Sequence, residues 1–200
     1  MAKATILTLC MMAALAGCST SGPGVPQVGA DGRLLPVVYR IDGKASSQIP
    51  FRVQDSVNAL RAAKGLVPMQ FNAALNAAAA AHSQDMAAQA RPWHFGSDGS
   101  SPLLRAQRAG YPGRVQGELV SETYESEIET IGAWAKDTAT RGVLLDPTAN
   151  EMGFAWYQEQ NGKIWWTMIT GDRSRAPLSN VPVIALGRTV TSEMDNIVGQ

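Results

Sequence analysis

Residues 151–171, EMGFAWYQEQNGKIWWTMITG, carry the pattern that decides the fold. Two alternating or apolar runs flank the dipeptide Asn161-Gly162, which is the strongest short-range signal for a β-hairpin. The residues before this stretch follow helical spacing instead, with apolar side chains three or four positions apart. Helices followed by a hairpin predict the α+β class, with a small antiparallel sheet covered by helices.

Four helices are predicted ahead of the hairpin from apolar spacing and from capping residues. They cover residues 51–64, residues 73–90 after the cap Asn72, residues 101–110, and a stretch around Ile128 that ends near Asp137. In the third helix, Leu103 and Leu104 are expected to point inward. The apolar stripe of the second helix includes His82, so we interpret His82 as a hydrogen-bonded packing residue.

The first eighteen residues, MAKATILTLCMMAALAGC, combine Lys3, a short apolar run and a small-residue end. The apolar run is too short for a bilayer core of about 30 Å, so it predicts an export signal rather than a transmembrane helix. The end, Leu15-Ala16-Gly17-Cys18, resembles the bacterial lipobox, in which the cysteine is acylated and becomes the first mature residue. Residues 1–18 are therefore expected to be a lipoprotein signal peptide. A plain signal peptide with an incidental Cys18 is the alternative.

The remaining chain is divided by composition. We expect residues 19–50 to form a Gly/Pro/Ser-rich linker with an extended segment, residues 51–172 one domain, and residues 173–200 a tail without a clear pattern. Removal of the signal takes Cys10 away and leaves Cys18 lipidated, so neither a disulfide nor a cysteine nucleophile is expected. Ser19 follows the acylated cysteine and is of a residue type that usually permits a lipoprotein to be sorted to the outer membrane. The predicted location is the cell envelope, at the outer membrane and facing the periplasm.

Composition excludes several classes of function. Seventeen basic and seventeen acidic side chains balance, and no basic cluster stands out, so a nucleic-acid partner is not indicated. The sequence lacks a glycine-rich phosphate loop, a GxSxG elbow, an HExxH motif and Cys/His metal spacing. With only His82 and His94 present, a site of three histidine ligands is impossible. In RPWHFGSDGSSP, residues 91–102, the Asp98-Gly99 turn and the cap Ser101 are expected to orient His94.

Six segments carry a family pattern in order and spacing. They are LVPMQFNAALNAAAAAHSQDMA, HFGSDGSSPLLRAQRAGY, GEL, WAKDTATRGVLLDP, NEMGFAW and IWWTMITG. Together they resemble the bacterial branch of the CAP superfamily, which groups cysteine-rich secretory proteins, antigen 5 and pathogenesis-related 1 proteins. The resemblance covers roughly residues 54–171 and implies an α-β-α sandwich with a surface cleft. In the family, two histidines and acidic residues line this cleft, and some members use it to hold a divalent metal.

The resemblance assigns cleft positions in this chain one by one. His94 corresponds to the first cleft histidine, and Glu118 to the glutamate of the family's GEN motif, whose asparagine is replaced here by Leu119. The second cleft histidine falls on Thr140. Glu151 matches an acidic position often found at the start of the next strand.

Thr140 weakens the case for a metal. A hydroxyl is a poor substitute for a neutral imidazole as a ligand of zinc or copper. We therefore expect no cofactor, and at His94 and Glu118 at most a weak, water-rich divalent-metal site.

The favoured function is that of a lipid-anchored envelope protein whose domain is a non-catalytic binding or interaction module with a degenerate His/Glu cleft. Its partners would be the membrane, through lipid on Cys18, and an apolar small molecule or envelope component, since family members are often associated with sterols or fatty acids. The pattern does not indicate an oligomeric state.

Two alternatives stay open. One is a divergent peptidase-like hydrolase in which Glu118 is the base toward a water and His94 acts on the leaving group. The other is a purely structural envelope lipoprotein. The metal and enzyme hypotheses both require that His94, Glu118 and Glu151 converge on one open point.

Overall fold

The computed structural model describes residues 38–178. The predicted signal peptide, Cys18, most of the predicted linker and the tail after Leu178 lie outside the described residues. In chain order the elements are α1 (Gly43–Ala62), β1 (Gln70–Phe71), α2 (Ala73–Gln89), α3 (Pro102–Arg108), β2 (Arg114–Thr123), α4 (Glu127–Lys136), α5 (Thr138–Leu144), β3 (Glu151–Gln158) and β4 (Ile164–Asp172). Within residues 38–178, no helix has the length and hydropathy needed to cross a membrane.

The sheet has the order β1-β3-β4-β2. Strands β3 and β4 form the predicted antiparallel hairpin, and Gly162 in its loop has a φ of 99°, a conformation that glycine adopts without strain. Strand β2 pairs with β4 in antiparallel orientation, whereas β1 pairs with β3 in parallel. The sheet is therefore mixed. Strands β2, β3 and β4 have the antiparallel pairing predicted for the sheet, and the two-residue strand β1 adds a short parallel edge.

Helices cover both faces of the sheet, as the α+β prediction requires. On one face, α1, α4 and α5 pack on large side chains of the strands, including Phe154, Trp166 and Met168. On the other face, α2 and α3 pack through small residues such as Ala78, Ala79 and Ala106. The result is an α-β-α sandwich with one thick and one thin helical layer, and α2 lies close to the sheet.

Helix α1 begins at Gly43 and not near residue 51 as predicted. Asp42 caps it, with Oδ1 accepting a hydrogen bond from the backbone N–H of Ala45 at 2.7 Å. Pro50 lies inside the helix, although a proline there removes one backbone hydrogen bond. Burial of the neighbouring Ile49, which is 0% exposed, compensates for this loss. Residues 43–49, which the sequence analysis places in the linker and extended segment, are thus helical, and Ile49 packs in the core.

Two further helices follow their predicted caps. Asn72 caps α2 and Ser101 caps α3, each by accepting backbone hydrogen bonds at the helix start. The inward orientation predicted for Leu103 and Leu104 is wrong, since both are only partly buried. Arg105 and Ala106 occupy the buried side of α3 instead, because Arg105 is held by polar partners beneath it.

Gly153 on β3 is where α2 approaches the sheet most closely. A Cβ atom at this position would overlap the backbone of Leu75 and Asn76 in α2. Asn76 also accepts a hydrogen bond from the N–H of Phe154 at 3.2 Å through Oδ1. The helix therefore contacts the strand backbone directly, which requires glycine at position 153.

We expect Gly153→Ala to destabilise the protein by about 3 kcal/mol or more, because backbone atoms cannot yield to the added methyl group as a flexible side chain would. Gly132→Ala in α4 is the matched control, since a Cβ there meets nothing within 4 Å. The control should stabilise the protein by about 0.5–1 kcal/mol, as alanine does in helix interiors. Urea unfolding followed by tryptophan fluorescence measures both values. Similar free energies of unfolding for the two variants would contradict the close-contact argument.

Candidate functional site

Glu118 on β2 is the centre of a buried polar cluster. Its side chain is 1% exposed and faces the layer formed by α2 and α3. Oε2 accepts a hydrogen bond from the Arg105 guanidinium at 2.6 Å, and Oε1 lies 3.0 Å from Nδ1 of His94. Both carboxylate oxygens are therefore occupied by cationic or polar partners from the same chain.

Arg105 also fixes the loop that carries His94. Its NH1 group donates to the carbonyl of Ser100 at 2.7 Å, and its NH2 group donates to the carbonyl of His94 at 3.1 Å as well as to Glu118. The Asp98-Gly99 turn closes this loop as predicted: Gly99 has a φ of 75°, and Asp98 accepts a hydrogen bond from the N–H of Ser100. Arg105 thus holds both the loop and the carboxylate that His94 contacts.

His82 lies beneath this cluster and is fully buried. Its Nε2 is the donor to the carbonyl of Trp93 at 2.9 Å, because a carbonyl can only accept. The same nitrogen is 3.7 Å from Oε1 of Glu118, while Nδ1 has no hydrogen-bond partner among the described residues. The interpretation of His82 as a packing residue is therefore incomplete: it supports the loop before His94 and also borders the carboxylate.

The surroundings shift the pKa values of the two histidines in opposite directions. The hydrogen bond to Glu118 raises the pKa of His94 above its ordinary value, although partial burial opposes this. Burial lowers the pKa of His82, and the negative charge of Glu118 offsets only part of that effect. His94 is therefore the member of the pair whose protonated form is favoured, and it is also the accessible one, with a side chain that is 53% exposed.

Thr140 does not join this cluster. It lies in the first turn of α5, where its hydroxyl donates to the carbonyl of Trp134 at 2.8 Å. Its backbone N–H also donates to the cap residue Asp137. The hydroxyl therefore joins the end of α4 to the start of α5, and it makes no hydrogen bond with Glu118.

Glu151 belongs to a separate group. Oε1 accepts hydrogen bonds from Asn72 at 3.1 Å and from Arg173 at 3.2 Å. Burial and the neighbouring Glu151 carboxylate raise the pKa of the Tyr111 phenol, which packs beside the same strand ends. His94 and Glu118 converge, but Glu151 has other partners, so the structure does not show the convergence of all three that the metal and enzyme hypotheses require.

The donor set does not fit the divalent metal that the family resemblance implies. Within residues 38–178 no group of three His, Cys, Asp or Glu side chains is placed to hold a metal ion. The carboxylate that would be the first ligand is already paired with Arg105, and Thr140 offers no imidazole in place of the missing one. The positive charge beside the Glu118 carboxylate is therefore supplied by the Arg105 guanidinium and not by a metal ion.

A cleft of about 440 Å³ opens between α2 and α3, next to this cluster. Four alanines form its apolar side, and charged or hydroxyl side chains form the other side. The alanines are Ala77, Ala78, Ala81 and Ala109; the polar residues are Asp85, Ser97, Asp98, Ser100, Arg105 and Arg108. This volume and this mixed lining are typical of small-molecule sites.

Sequence reasoning missed Arg105 altogether and assigned His82 only a packing role. No local signal separates Arg105 from an exposed helical arginine, because its partners lie in the preceding loop and on β2. The only signal for His82 was its place on the apolar stripe of α2, which predicts burial but not that Glu118, 36 positions away on β2, is a neighbour.

The fold and the cluster define a class: an α-β-α sandwich with a His–Glu pair beside the edge strand of a small sheet. Residues 54–170 match the family model described as Cysteine-rich secretory protein family, CAP. This match covers more than half of the chain, so the protein belongs to the CAP family.

Individual relatives agree with this assignment. The chain is 27% identical over 120 residues to the Bacillus subtilis protein YkwD, an alignment that covers 60% of this chain and 46% of YkwD. The chain therefore spans about half the length of that curated relative. A solved extracellular protein with an SCP domain from Bacillus anthracis has a TM-score of 0.58 at 16% identity, covering 67% of this chain and 45% of that one. An outer surface protein from Borrelia burgdorferi has a TM-score of 0.55 at 15% identity, covering 68% and 98%. These two structures share the fold.

We expect the two histidines to titrate in separate pH ranges in an NMR experiment, with His94 above and His82 below the ordinary histidine value. Glu118→Gln should lower the pKa of His94, because the charge and the hydrogen bond that favour its protonated form are weakened. Glu122→Gln is the matched control on the same strand, since Glu122 is exposed and pairs with Lys163 instead. His94→Gln assigns the signals.

The sign of the linkage to folding follows from these shifts. The contribution of His94 to stability is fully present below its unfolded pKa and is lost as the pH rises through its raised folded pKa. That of His82 is present above its unfolded pKa and is lost as the pH falls. An unchanged His94 titration in Glu118→Gln would show that the pair does not form in solution.

Proposed function

We propose that this chain is a lipid-anchored protein of the cell envelope whose CAP domain binds an apolar small molecule or an envelope component without catalysing a reaction. One observation carries the proposal: the Glu118 carboxylate is closed off by Arg105 and His94 beside a cleft with an alanine side and a polar side. This arrangement supports a structural role for the polar cluster and a ligand-binding role for the cleft.

The geometry argues against Glu118 as a general base. A base must reach a water or a substrate proton, but this side chain is 1% exposed and each oxygen already has a partner within 3.0 Å. The Arg105 guanidinium, 2.6 Å from Oε2, also occupies lone pairs that would have to accept the proton. The hydrolase alternative would need the ion pair to open before each reaction.

The cleft supports binding of a ligand with an apolar body and a polar end. Ala77 and Ala81 lie on the exposed side of α2 and present methyl groups to the cleft, so a ligand gains apolar contact without displacing large side chains. The exposed residues Ser97 and Arg108 stand on the polar side, where they can meet an oxygen-bearing end. A fatty-acid chain with a carboxylate has this combination.

We expect Ala81→Leu to weaken binding of a fluorescent fatty-acid analogue by at least about tenfold, because the larger side chain fills space that the ligand would occupy. Ala88→Leu is the matched control: it is another exposed alanine on α2 but lies outside the cleft. Fluorescence titration of the purified protein measures both affinities. Equal affinities for wild type and Ala81→Leu would rule out this cleft as the site.

Catalysis is tested with the same preparation. Peptide and cell-wall substrates should show no turnover above background, and Glu118→Gln and His94→Ala should match the wild type. Turnover by the wild type that either substitution abolishes would overturn the non-catalytic proposal in favour of the hydrolase.

Envelope location is supported by the lipobox-like Leu15-Ala16-Gly17-Cys18 and by Ser19, all outside the described residues. Two of the solved relatives, from Borrelia burgdorferi and Bacillus anthracis, are described as outer surface and extracellular proteins, which agrees with export. Acyl chains on Cys18 would anchor the domain, since each buried methylene adds about 0.8 kcal/mol.

Cys18→Ala should move the protein out of the membrane fraction that is expected for the wild type, because the acylation site is lost. Cys10→Ala, within the same predicted signal, is the control and should fractionate like the wild type. Fractionation with immunodetection gives the result. Membrane association that survives Cys18→Ala would refute the lipid anchor.

A further inference from the structure

A second recess lies on the other side of α3, between this helix and strand β2. It has a volume of about 220 Å³. Its lining residues are Ser101, Pro102, Leu103, Val115, Gln116, Gly117, Glu118 and Leu178. We refer to it as the α3/β2 groove. Leu178, the last described residue of the chain, is one of these lining residues.

Polar contacts steer the chain from β4 toward the groove. Both the backbone N–H and the hydroxyl of Ser174 donate to Asp172, at 2.9 and 2.6 Å, and Arg175 pairs with the same carboxylate at 3.1 Å. Asp172 lies opposite Arg114, the first residue of β2. Gln107 of α3 then donates to the carbonyl of Leu178 at 2.8 Å. The chain therefore turns at the start of β2 and is held by α3 where it meets the groove.

Strand β2 has features of an incomplete edge. In the described part of the chain it has a strand neighbour on one side only, because it ends the order β1-β3-β4-β2. Its register shifts between Val115 and Gly117, so Gln116 is a bulge residue without a pairing partner on β4. The side-chain nitrogen Nε2 of Gln116 is buried, yet it has no acceptor among the described residues. A backbone carbonyl placed in the groove would satisfy this donor.

The next residues of this chain have the composition that such a groove accepts. Residues 181–186 are VPVIAL, an apolar and β-branched run, and the groove offers Leu103 and Val115 as apolar walls. Six extended residues span about 20 Å, enough to follow most of β2. Pro182 lacks an N–H, which an edge position tolerates and a central strand does not.

We propose that residues 179–187 of this chain bind in the α3/β2 groove beside β2, as an intramolecular ligand next to Glu118. The segment needs no linker, because Leu178 already lies in the groove. Its apolar side chains cover Leu103 and Val115, and its carbonyls face Gln116. This inference concerns the groove itself and holds whether or not the cleft between α2 and α3 binds a small molecule.

Hydrogen exchange of the full chain, purified in detergent and read by mass spectrometry, tests the proposal. Val183→Asp should speed amide exchange in residues 114–120 by about tenfold or more, because a charged side chain no longer docks against apolar walls. Val198→Asp, the same change further along the tail, is the control and should exchange like the wild type. Protection of β4 reports in each sample that the fold is intact.

Two outcomes would overturn the proposal. One is identical exchange of residues 114–120 in the wild type, Val183→Asp and a second variant, Ile184→Asp, with β4 protected throughout. The other is wild-type protection of β2 that disappears on dilution, since that would assign the groove to a second copy of the chain. Protection that is independent of concentration and lost in both variants establishes intramolecular docking.

Discussion

The contact between α2 and the backbone of β3 at Gly153 is the constraint on which the rest of the structure depends. Because no side chain separates helix and strand there, α2 is fixed in height and rotation above the sheet. Strand β1 pairs with β3 only at Glu151 and Met152, so the N–H of Phe154 turns to the helix residue Asn76 instead of to a strand. The helix thus takes over part of the role of an edge strand, which couples its position to that of the sheet.

The fixed helix in turn positions the polar cluster. One side of α2 places Ser83 in a hydrogen bond with Thr167 of β4 at 2.9 Å, and the adjacent His82 against the loop carbonyl of Trp93. These two contacts set the distance between the sheet and the loop that carries His94. Arg105 closes the arrangement from α3. A buried pair of this kind contributes little net stability by itself, but loss of one partner leaves an uncompensated charge, which costs about 3–5 kcal/mol. Glu118 and Arg105 are therefore constrained to remain together.

Local signals predicted those parts of the fold that local chemistry determines. The Asn161-Gly162 hairpin, the caps Asn72 and Ser101, and the turn at Asp98 each depend on residues within a few positions, and each is confirmed. His94 and Glu118, which the family resemblance assigns to one cleft, lie 3.0 Å apart.

Features that depend on distant partners were not predictable. The start of α1 was missed because a proline such as Pro50 usually marks the end of a helix. The helix continues through it because Ile49 is buried against residues that lie far along the chain. Strand β2 was missed because its bulge at Gln116 interrupts the alternation of side chains. Arg61 shows the same limit: this fully buried residue donates to the carbonyls of Val67, Leu144, Asp146 and Ala149, three of which lie more than 80 positions away. The sequence shows that an arginine is present, but it does not show which backbone carbonyls the folded chain brings to its guanidinium.

The short helix α3 is the shared wall of two recesses. The cleft toward α2 includes Arg105, and the groove toward β2 includes Glu118, so the 2.6 Å ion pair connects them across the helix. With only seven residues, α3 has little intrinsic stability and depends on these contacts and on its cap for its position. Any shift of α3 that widens one recess therefore changes the other. An occupant of the groove and a ligand in the cleft would then act on each other's affinity reciprocally, as linkage requires of two sites that bias one element.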